Sequence, residues 1–436
     1  MPQLLYSNIL RTNLIVSLHC HKIYCNKGGS YFIPTMFITN ICDAVYPIIF
    51  MTAIFGVSSI FLKIENKTRK LKIFNILKIL NIIYIAVFSV LLYLAVSNLK
   101  NRKLKANYAS GVSKIGIIFQ LFAQIALTYI IYLVNITKSS NVLSSIKDVK
   151  KIDDIFEDLG VNINYRKHFV YEISIISLGF VAILGRGIIT HAYMKNSIFS
   201  EDDNSHYVLF IPSLISFLAQ NNFVLLITLL YERFILINKL LADLAKEKIN
   251  HLSWKVSTEQ EYQMKHGLRR IELLMELHDY LTDVGNKLSD SFTLQILSCL
   301  TAQFLTTVFT VFYLYYESMI LKNKVSALVW LMWTAWTSLE ILYVTVTCHL
   351  TTNEAKNTGM AIHKVLLNEN DPVIKRKLMV FSQQVDQRPL QFTACGLFSI
   401  DATLIFTIVG AAATYLLIML QFQEGVEAQC SNSTIG

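Results

Sequence analysis

A short stretch of the chain, WLMWTAWTSLE at 330–340, combines aromatic and acidic side chains at a spacing that could form a binding site. On a helix, Trp333, Trp336 and Glu340 lie at i, i+3 and i+7 and therefore share one face. Aromatic walls with a few polar groups suit a small polar ligand such as a sugar, because ring faces stack on C–H surfaces. The alternative is an aromatic belt at a membrane interface, which explains Trp330 and Trp333 but explains a mid-span carboxylate poorly.

Other polar residues within long apolar runs could complete such a pocket. Arg186, in AILGRGIIT, could pair with Glu340 or contact a ligand directly. Gln303 and Asn221 are further candidates for ligand binding. Polar groups at membrane depth are functional candidates by default, although hydrogen bonding between helices is the alternative for each of them.

The last apolar run closes with TYLLIMLQF at 414–422, where an amide ends an otherwise apolar helix. Four of its residues share one helical stripe, at i, i+3, i+4 and i+7: Thr414, Leu417, Ile418 and Gln421. Copies of Gln421 could ring a conduction path, with Phe422 as an apolar constriction that closes by dewetting. The alternative is that Gln421 bonds a neighbouring helix. Thr414 and Tyr415 are expected to fix helix packing through hydrogen bonds of their hydroxyl groups.

Two acidic residues, Glu424 and Glu427, follow the predicted end of this helix at 422. Carboxylates are disfavoured at a helix C-terminus by the helix dipole, so another benefit would have to retain them. Collecting cations at an outer mouth is one such benefit, and a solvated tail is the alternative.

The composition indicates a membrane protein. Of the 436 residues, 53% are hydrophobic and only 16% are charged, whereas soluble domains carry about 25% charged residues. The net charge of +9 fits cytoplasmic loops of a membrane chain, and no nucleic-acid partner is expected. The seven cysteines show no disulfide or metal-ligand spacing, and neither a metal nor a cofactor is expected.

Runs of about 20 apolar residues are long enough to cross a bilayer, where the backbone must be helical. Seven such runs occur, at 73–96, 115–134, 169–191, 208–230, 292–316, 325–349 and 402–422. An eighth run, 44–62, contains Pro47 and Gly56 and is interpreted as an interfacial or re-entrant helix before the first span.

The distribution of Lys and Arg sets the orientation. With the N-terminus in the cytoplasm, the inside segments carry 30 of these residues and the outside segments carry 8. The positive-inside rule therefore predicts a cytoplasmic N-terminus and an extracellular C-terminus.

Two cytoplasmic segments are predicted to extend the helices below the bilayer. In 271–288, an amphipathic stripe is expected from Leu273, Leu277, Leu281 and Val284, continuing into the fifth span. A second helix is expected at 373–388. Such extensions could form an anchor that packs subunits together.

The prediction is therefore an all-α membrane protein with seven transmembrane helices and an interfacial pre-span helix. Its segments are an N-terminal part, four spans, a helical cytoplasmic part, two spans, an anchor and a pore helix with a short tail. Their bounds are 1–72, 73–230, 231–290, 291–349, 350–401 and 402–436.

Several classes of membrane protein are disfavoured. G-protein-coupled receptors place the N-terminus outside, opposite to the orientation predicted here. Transporters commonly show inverted repeats and broken helices, and neither is evident in the sequence. An enzyme would need a nucleophile with its base, paired acids or metal ligands at bilayer depth, and the spans offer none, so no catalytic residue is assigned.

The C-terminal stretch 392–423 resembles the signature end of the insect gustatory receptor family. The hallmark is Thr-Tyr, five apolar residues and then Gln-Phe, and Thr414, Tyr415, Gln421 and Phe422 all match it. The stretch LHDYLTDVGNKLSDSFTLQIL at 277–297 resembles the same family's approach to its fifth span. The similarity is greatest to the fructose-sensing branch and its broadly expressed sister branch.

The resemblance implies a ligand-gated cation channel of the plasma membrane, a homo- or hetero-tetramer with other gustatory receptor subunits. The last helix of each subunit would line the pore, and a small tastant would enter a pocket from the extracellular side. Fructose is the first expectation, while bitter compounds, nucleosides or warmth stay open. The leading alternative is a receptor signalling through an intracellular partner via 231–290, followed by a small-solute transporter.

Overall fold

Helices dominate the part of the chain that the structure describes, with two short hairpins between them. The structure is a computed structural model, and it describes residues 38, 40–65, 68–101, 111–197, 207–250, 257–320 and 322–433. Residues 1–37 of the predicted segment 1–72 lie outside this part. The elements in chain order are α1 Ile41–Ala44, α2 Tyr46–Ile54, β1 Ile60–Glu65, β2 Thr68–Ile73, α3 Asn75–Asn101, α4 Gly111–Asp158, α5 Tyr165–Ser197, α6 Tyr207–Asn250, α7 Ser257–Tyr315, α8 Lys324–Leu367, α9 Pro372–Gln387, β3 Thr393–Ala394, β4 Phe398–Ser399 and α10 Ala402–Ser433.

All seven predicted spans lie on helices, α3 to α8 and α10. Five of these helices are long and apolar enough to cross a membrane along the described residues, within α5, α6, α7, α8 and α10. A shorter apolar segment, Asn75–Val90, occupies most of the first predicted span. The all-α membrane architecture is therefore confirmed.

The eighth apolar run differs from its predicted form. The helix ends at Ile54 instead of continuing to residue 62. Gly56 has φ +70, a left-handed conformation that closes a helix, and the backbone N–H of Val57 then bonds the Thr52 carbonyl at 2.6 Å. Residues 60–73 form an antiparallel hairpin, because the alternation in IFLKIE and TRKLKI has the two-residue period of a strand.

Four helices extend far beyond the thickness of a bilayer. The longest, α7, has 59 residues and is therefore about 90 Å long, against a hydrocarbon core of about 30 Å. In the bundle, α4 packs along α7, α6 along α8, and α7 along α8. The predicted extension at 271–288 is thus continuous with the fifth predicted span.

The predicted stripe on α7 is shifted by one residue at its start. Leu277, Leu281 and Val284 are buried, but Leu274 is the buried residue one turn earlier and Leu273 is only half-buried. Spacings that alternate three and four residues keep a stripe on one side of a helix, whereas repeated spacings of four drift around it. The predicted spacing of four from Leu273 to Leu277 therefore rotates Leu273 away from the buried side, where Leu274 lies instead.

Helix α9 packs its apolar side against the extensions of α7 and α8. It begins at Pro372, where the Asp371 carboxylate accepts the backbone N–H of Val373 at 2.7 Å, a common N-cap arrangement. Its buried side chains lie on one face: Ile374, Leu378, Phe381 and Val385. The helix predicted at 373–388 is thus present, one residue earlier at each end.

A polar cluster joins α4 to α7 beyond the predicted spans. Asp148 accepts hydrogen bonds from Lys287 Nζ at 3.1 Å, Lys151 Nζ at 3.1 Å and the Tyr280 hydroxyl at 3.0 Å. Burial alone would raise the pKa of Asp148, but these three hydrogen bonds outweigh it and hold the pKa below its ordinary value of 3.8. Asp148 is therefore an ionised tie between two long helices at neutral pH.

Candidate functional site

Five of the predicted ligand-binding residues come together on three helices. Arg186 lies on α5, Gln303 on α7, and Trp333, Trp336 and Glu340 on α8. The guanidinium carbon of Arg186 lies 4.2 Å from the ring centroid of Trp333 and 5.2 Å from that of Trp336. Gln303 Nε2 donates to Glu340 Oε2 at 2.8 Å. These five residues are called the polar pocket below.

Each indole of the polar pocket is held from outside it. Trp333 Nε1 donates to the Thr190 hydroxyl at 3.0 Å, and the ring of Trp336 packs against that of Phe217 at 5.9 Å between centroids. Arg186 donates in addition to the Ser213 hydroxyl. Helices α5 and α6 thus fix the orientation of the aromatic walls carried by α8.

Several buried polar atoms of the polar pocket lack a hydrogen-bond partner among the described residues. They belong to both charged groups, the amide and one indole: Arg186 Nε and Nη1, Gln303 Oε1, Trp336 Nε1 and Glu340 Oε1. An unsatisfied buried polar atom costs about 1–3 kcal/mol, and more when the group is charged. The site therefore offers both donors and acceptors to a molecule that enters it.

Asn221 is not part of this group. Its Nδ2 donates to Glu172 Oε1 at 2.7 Å, and its Oδ1 accepts the Tyr343 hydroxyl at 3.0 Å. Both Asn221 and Glu172 are almost fully buried. Tyr343 follows Glu340 by about one turn of α8, so this cluster neighbours the polar pocket along the helix axis.

A third polar cluster involves residues that the sequence did not mark as a site. Arg233 binds Asp153 through two hydrogen bonds, Nε to Oδ1 at 3.0 Å and Nη2 to Oδ2 at 2.9 Å, and both side chains are buried. Tyr165 donates to the same carboxylate at 2.9 Å. Glu232, the residue before Arg233, pairs with His168 at 2.5 Å. The Glu-Arg pair at 232–233 was the available signal, but its partners lie on other helices.

The predicted pore stripe points away from the other helices of the chain. Thr414, Leu417, Ile418 and Gln421 are all exposed, and Phe422 beside them is 67% exposed. The opposite side of α10 packs against a buried aromatic cluster through Leu416, Met419 and Leu420.

The two hallmark residues predicted to fix packing make different contacts. Thr414 donates its hydroxyl to Gly410 of its own helix at 3.0 Å. The Tyr415 ring lies edge-on against Phe304 of α7, with 6.1 Å between centroids. Tyr415 therefore contacts the neighbouring helix through its ring.

The acidic residues do not follow the end of the last helix. Helix α10 continues to Ser433, so Glu424 and Glu427 both lie on it, and Glu424 is exposed. Glutamine, glutamate and alanine are good helix formers, and the apolar run ends before the helical propensity does. The predicted short tail after 422 is thus mostly helical.

The sequence matches a model of the 7tm chemosensory receptor family over residues 45–425. Among curated proteins, it is 26% identical to gustatory receptor 28a of Drosophila melanogaster over 342 residues, 68% of this chain and 74% of that protein. It is 28% identical to the Drosophila gustatory receptor for sugar taste 43a over 154 residues, 35% of this chain and 36% of that protein.

Among solved structures, the fold is similar to that of the insect olfactory receptor OR5 from Machilis hrabei in complex with eugenol. The TM-score is 0.57 at 12% sequence identity, and the match covers 87% of this chain and 97% of that one. At this identity the similarity concerns the fold.

Proposed function

The chain belongs to the 7tm chemosensory receptor family, as a multi-pass plasma-membrane receptor related to insect gustatory receptors, and on this premise we propose that it is a ligand-gated, poorly selective cation channel. Four copies, identical or mixed with related subunits, surround the conduction path. Opening follows the binding of a small tastant. Membership of a receptor family agrees with the prediction that the chain is not an enzyme.

The observation that carries the proposal is the polar pocket. Two indole faces, a guanidinium, a carboxylate and an amide converge there from three helices, and some of their buried polar atoms lack protein partners. A core built only for stability would satisfy such groups internally. A pocket for a small polar molecule needs this combination of flat apolar walls and few oriented polar groups.

The chemistry of the polar pocket favours a neutral, hydroxyl-rich ligand. Hydroxyls donate and accept, so one molecule can bond the free atoms of Arg186 and of Glu340 together. Its C–H faces can lie on Trp333 and Trp336. Fructose is the proposed ligand, and the relative named for sugar taste supports this choice.

The exposed stripe of α10 supports its role as the pore helix. The Thr414 hydroxyl is satisfied within its own helix, but a lipid-facing helix gains nothing from Gln421, since an amide in hydrocarbon is unfavourable. In a tetramer these side chains meet water or the neighbouring copies. The four copies of Gln421 then form a neutral ring beside the Phe422 constriction. Glu424 lies on the following turn, and with Glu427 it belongs to the outer mouth of the pore.

The membrane orientation, the cytoplasmic anchor and the role of Asn221 belong to the same proposal. The N-terminus is cytoplasmic and the C-terminus extracellular, as the Lys and Arg distribution predicts. The extensions of α7 and α8 with α9 form the cytoplasmic anchor. Asn221 positions the ligand-binding end of α8 through Tyr343.

The test is a tastant panel applied to cells that express this chain alone. We expect fructose to evoke a cation current in excised patches without added nucleotide, and untransfected cells to give none. Signals that need an intracellular partner and vanish in excised patches would favour the receptor alternative. Sugar uptake without unitary currents would favour a transporter. Currents with a bitter compound and not with fructose would keep the channel and refute the ligand.

A further inference from the structure

The cluster that neighbours the polar pocket along α8 is built around a single carboxylate. Glu172 lies about one turn inside the third predicted span, and its side chain is 0% exposed. Its Oε1 accepts the Asn221 amide at 2.7 Å, whereas its Oε2 is buried without a hydrogen-bond partner among the described residues. A carboxylate at membrane depth is unfavourable unless something compensates its charge.

Basic side chains of the described part of the chain do not supply that charge. The basic residues nearest to Glu172 in the sequence of α5, Lys167 and His168, lie against the Glu232 carboxylate instead, at 3.7 Å and 2.5 Å. Arg186 lies about 21 Å further along the same helix, in the polar pocket. The compensating charge therefore comes from a species that binds to the chain.

Oxygen atoms from three helices gather around this carboxylate. Asn221 of α6 bonds Glu172 through its amide nitrogen, and its Oδ1 accepts the Tyr343 hydroxyl of α8 at 3.0 Å. The Tyr171 hydroxyl of α5 lies close to that of Tyr343. These four residues, Tyr171, Glu172, Asn221 and Tyr343, are called the Glu172 cluster below. Carboxylate, amide and hydroxyl oxygens are the ligands that hard cations prefer.

The arrangement suits a cation of single charge. A proton would use one oxygen of the Glu172 cluster, whereas a metal cation uses several at once, and this cluster brings several together. One carboxylate balances one positive charge, so the second charge of a divalent ion would stay buried and uncompensated. Among the described residues, no group of three or more His, Cys, Asp or Glu side chains could hold a metal ion, which leaves an alkali cation.

We propose that the Glu172 cluster binds a monovalent alkali cation, such as sodium, between α5, α6 and α8. Glu172 balances the charge of the ion, and the oxygens of Asn221 and Tyr343 contribute to its coordination. The ion ties α5 to the two other helices about one turn of α8 from Glu340. Such a site exists whether or not the chain conducts ions, and its test needs neither a tastant nor a current.

The experiment measures the melting temperature of the full-length protein in a neutral detergent, with sodium chloride replacing choline chloride at constant ionic strength. Each tenfold rise in sodium above its dissociation constant should raise the melting temperature by about 2 °C, because the ion binds only the folded chain. Glu172→Gln keeps the shape of the side chain and removes its charge, so it should abolish the sodium shift. In choline it should be at least as stable as the unaltered protein.

Two further variants distinguish binding from packing. Tyr343→Phe removes one oxygen and should reduce the sodium shift, whereas a purely structural hydroxyl would lower the melting temperature equally in both salts. Glu157→Gln, at an exposed position of α4, is the matched control and should respond to sodium like the unaltered protein.

Three outcomes would overturn the proposal. The first is a melting temperature of the unaltered protein that does not respond to sodium, which requires no variant to fold. The second is an equal sodium shift in Glu172→Gln. The third is stabilisation by acid in choline that is lost in Glu172→Gln and is insensitive to sodium, which would assign the Glu172 cluster to a proton.

Discussion

At the scale of single residues, the polar pocket depends on a carboxylate that is only partly satisfied by the protein. Glu340 accepts a hydrogen bond from Gln303 at Oε2, the Trp336 indole lies close to the carboxylate, and Oε1 has no hydrogen bond of good geometry among the described residues. Arg186 lies near enough to interact with it electrostatically. A ligand that bonds the second oxygen would gain from a charged acceptor.

The substitution Glu340→Gln should raise the half-maximal tastant concentration by about tenfold or more. A hydrogen bond to a charged group contributes about 1.5–3 kcal/mol, and the amide removes the charge while keeping the shape. The measurement is the dose–response curve of ligand-evoked current, normalised to surface protein. Glu276→Gln, at an exposed position of α7, should leave the curve unchanged. An unchanged curve for both variants would exclude Glu340 from ligand binding.

The buried pair of Arg233 and Asp153 predicts a stability effect. Asp153→Leu alone should lower the free energy of unfolding by about 3–5 kcal/mol, because it leaves a buried guanidinium unpaired. Adding Arg233→Met should recover most of this loss. The measurement is the melting temperature in detergent. Lys377→Gln, which breaks a partly exposed pair with Glu272, should change stability by less than about 1 kcal/mol. No recovery in the double variant would contradict the account.

The residue types of the polar pocket were readable from the sequence, but the separation of polar residues into clusters was not. Trp333, Trp336 and Glu340 share a helix, so their spacing sufficed. Whether Asn221 joins them depends on the rotation of α6 against α5 and α8, which no local pattern encodes. Glu172, which bonds Asn221, is on α5 and was missed for the same reason.

At the scale of the elements, close packing of α5 on α6 depends on a glycine. A Cβ added at Gly179 would overlap the ring of Phe217, whereas one added at Gly185 on the same helix would meet nothing within 4 Å. The ring of Phe217 also packs against Trp336. The helix contact and the polar pocket are therefore connected.

The substitution Gly179→Ala should lower stability by about 1–3 kcal/mol, since the added methyl forces the helices apart. It should also raise the half-maximal tastant concentration, because Phe217 supports Trp336. Gly185→Ala should be neutral or stabilising by up to about 1 kcal/mol. Melting temperature and evoked current are the readouts. Equal effects of the two variants would show that helix propensity, not the contact, determines the outcome.

The tie between α4 and α7 predicts a pH dependence. The pKa of Asp148 is lowered in the folded chain, so its stabilising effect is complete above about pH 5 and is lost as the pH falls below 3.8 and through the folded pKa. Asp148→Asn should therefore lower the melting temperature at pH 7, and the difference should shrink below pH 4. Asp154→Asn, exposed on the same helix, is the control. A difference that is constant with pH would refute the ionised tie.

The helices followed from apolar runs, because a membrane span must satisfy its backbone internally. Their ends did not. The last helix continues past Phe422 to Ser433, and the pre-span run becomes a hairpin after Gly56. In each case local backbone preference decided the boundary, which hydropathy does not measure.

At the scale of the whole molecule, the exposed stripe of α10 is the surface that the proposed tetramer would cover. Thr414 and Gln421 are exposed on a helix whose other side is packed. Four copies around an axis would cover them. In the proposed channel, the last helix would line the pore only in the assembled tetramer.

Changing the proposed constriction should change conduction without changing ligand affinity. Gln421→Arg should strongly reduce cation current by placing four positive charges in the path, and Phe422→Ala should produce current without ligand. Val409→Leu, about 120° around α10 from Gln421 at 100° per residue, should conduct normally. Unitary conductance and resting leak are the measurements. Normal conduction in Gln421→Arg would remove α10 from the pore.

Helix α8 runs without interruption from the polar pocket to contacts with α6 and α7. It carries Glu340 in the polar pocket. About four turns later, Asn238 of α6 bonds Glu354 at 2.8 Å and His278 of α7 contacts the Ala355 carbonyl at 3.3 Å. If the proposed tastant site and these contacts are coupled through α8, the coupling is reciprocal. A molecule that bound at these contacts and changed tastant affinity would then have its own affinity changed by the tastant by the same factor.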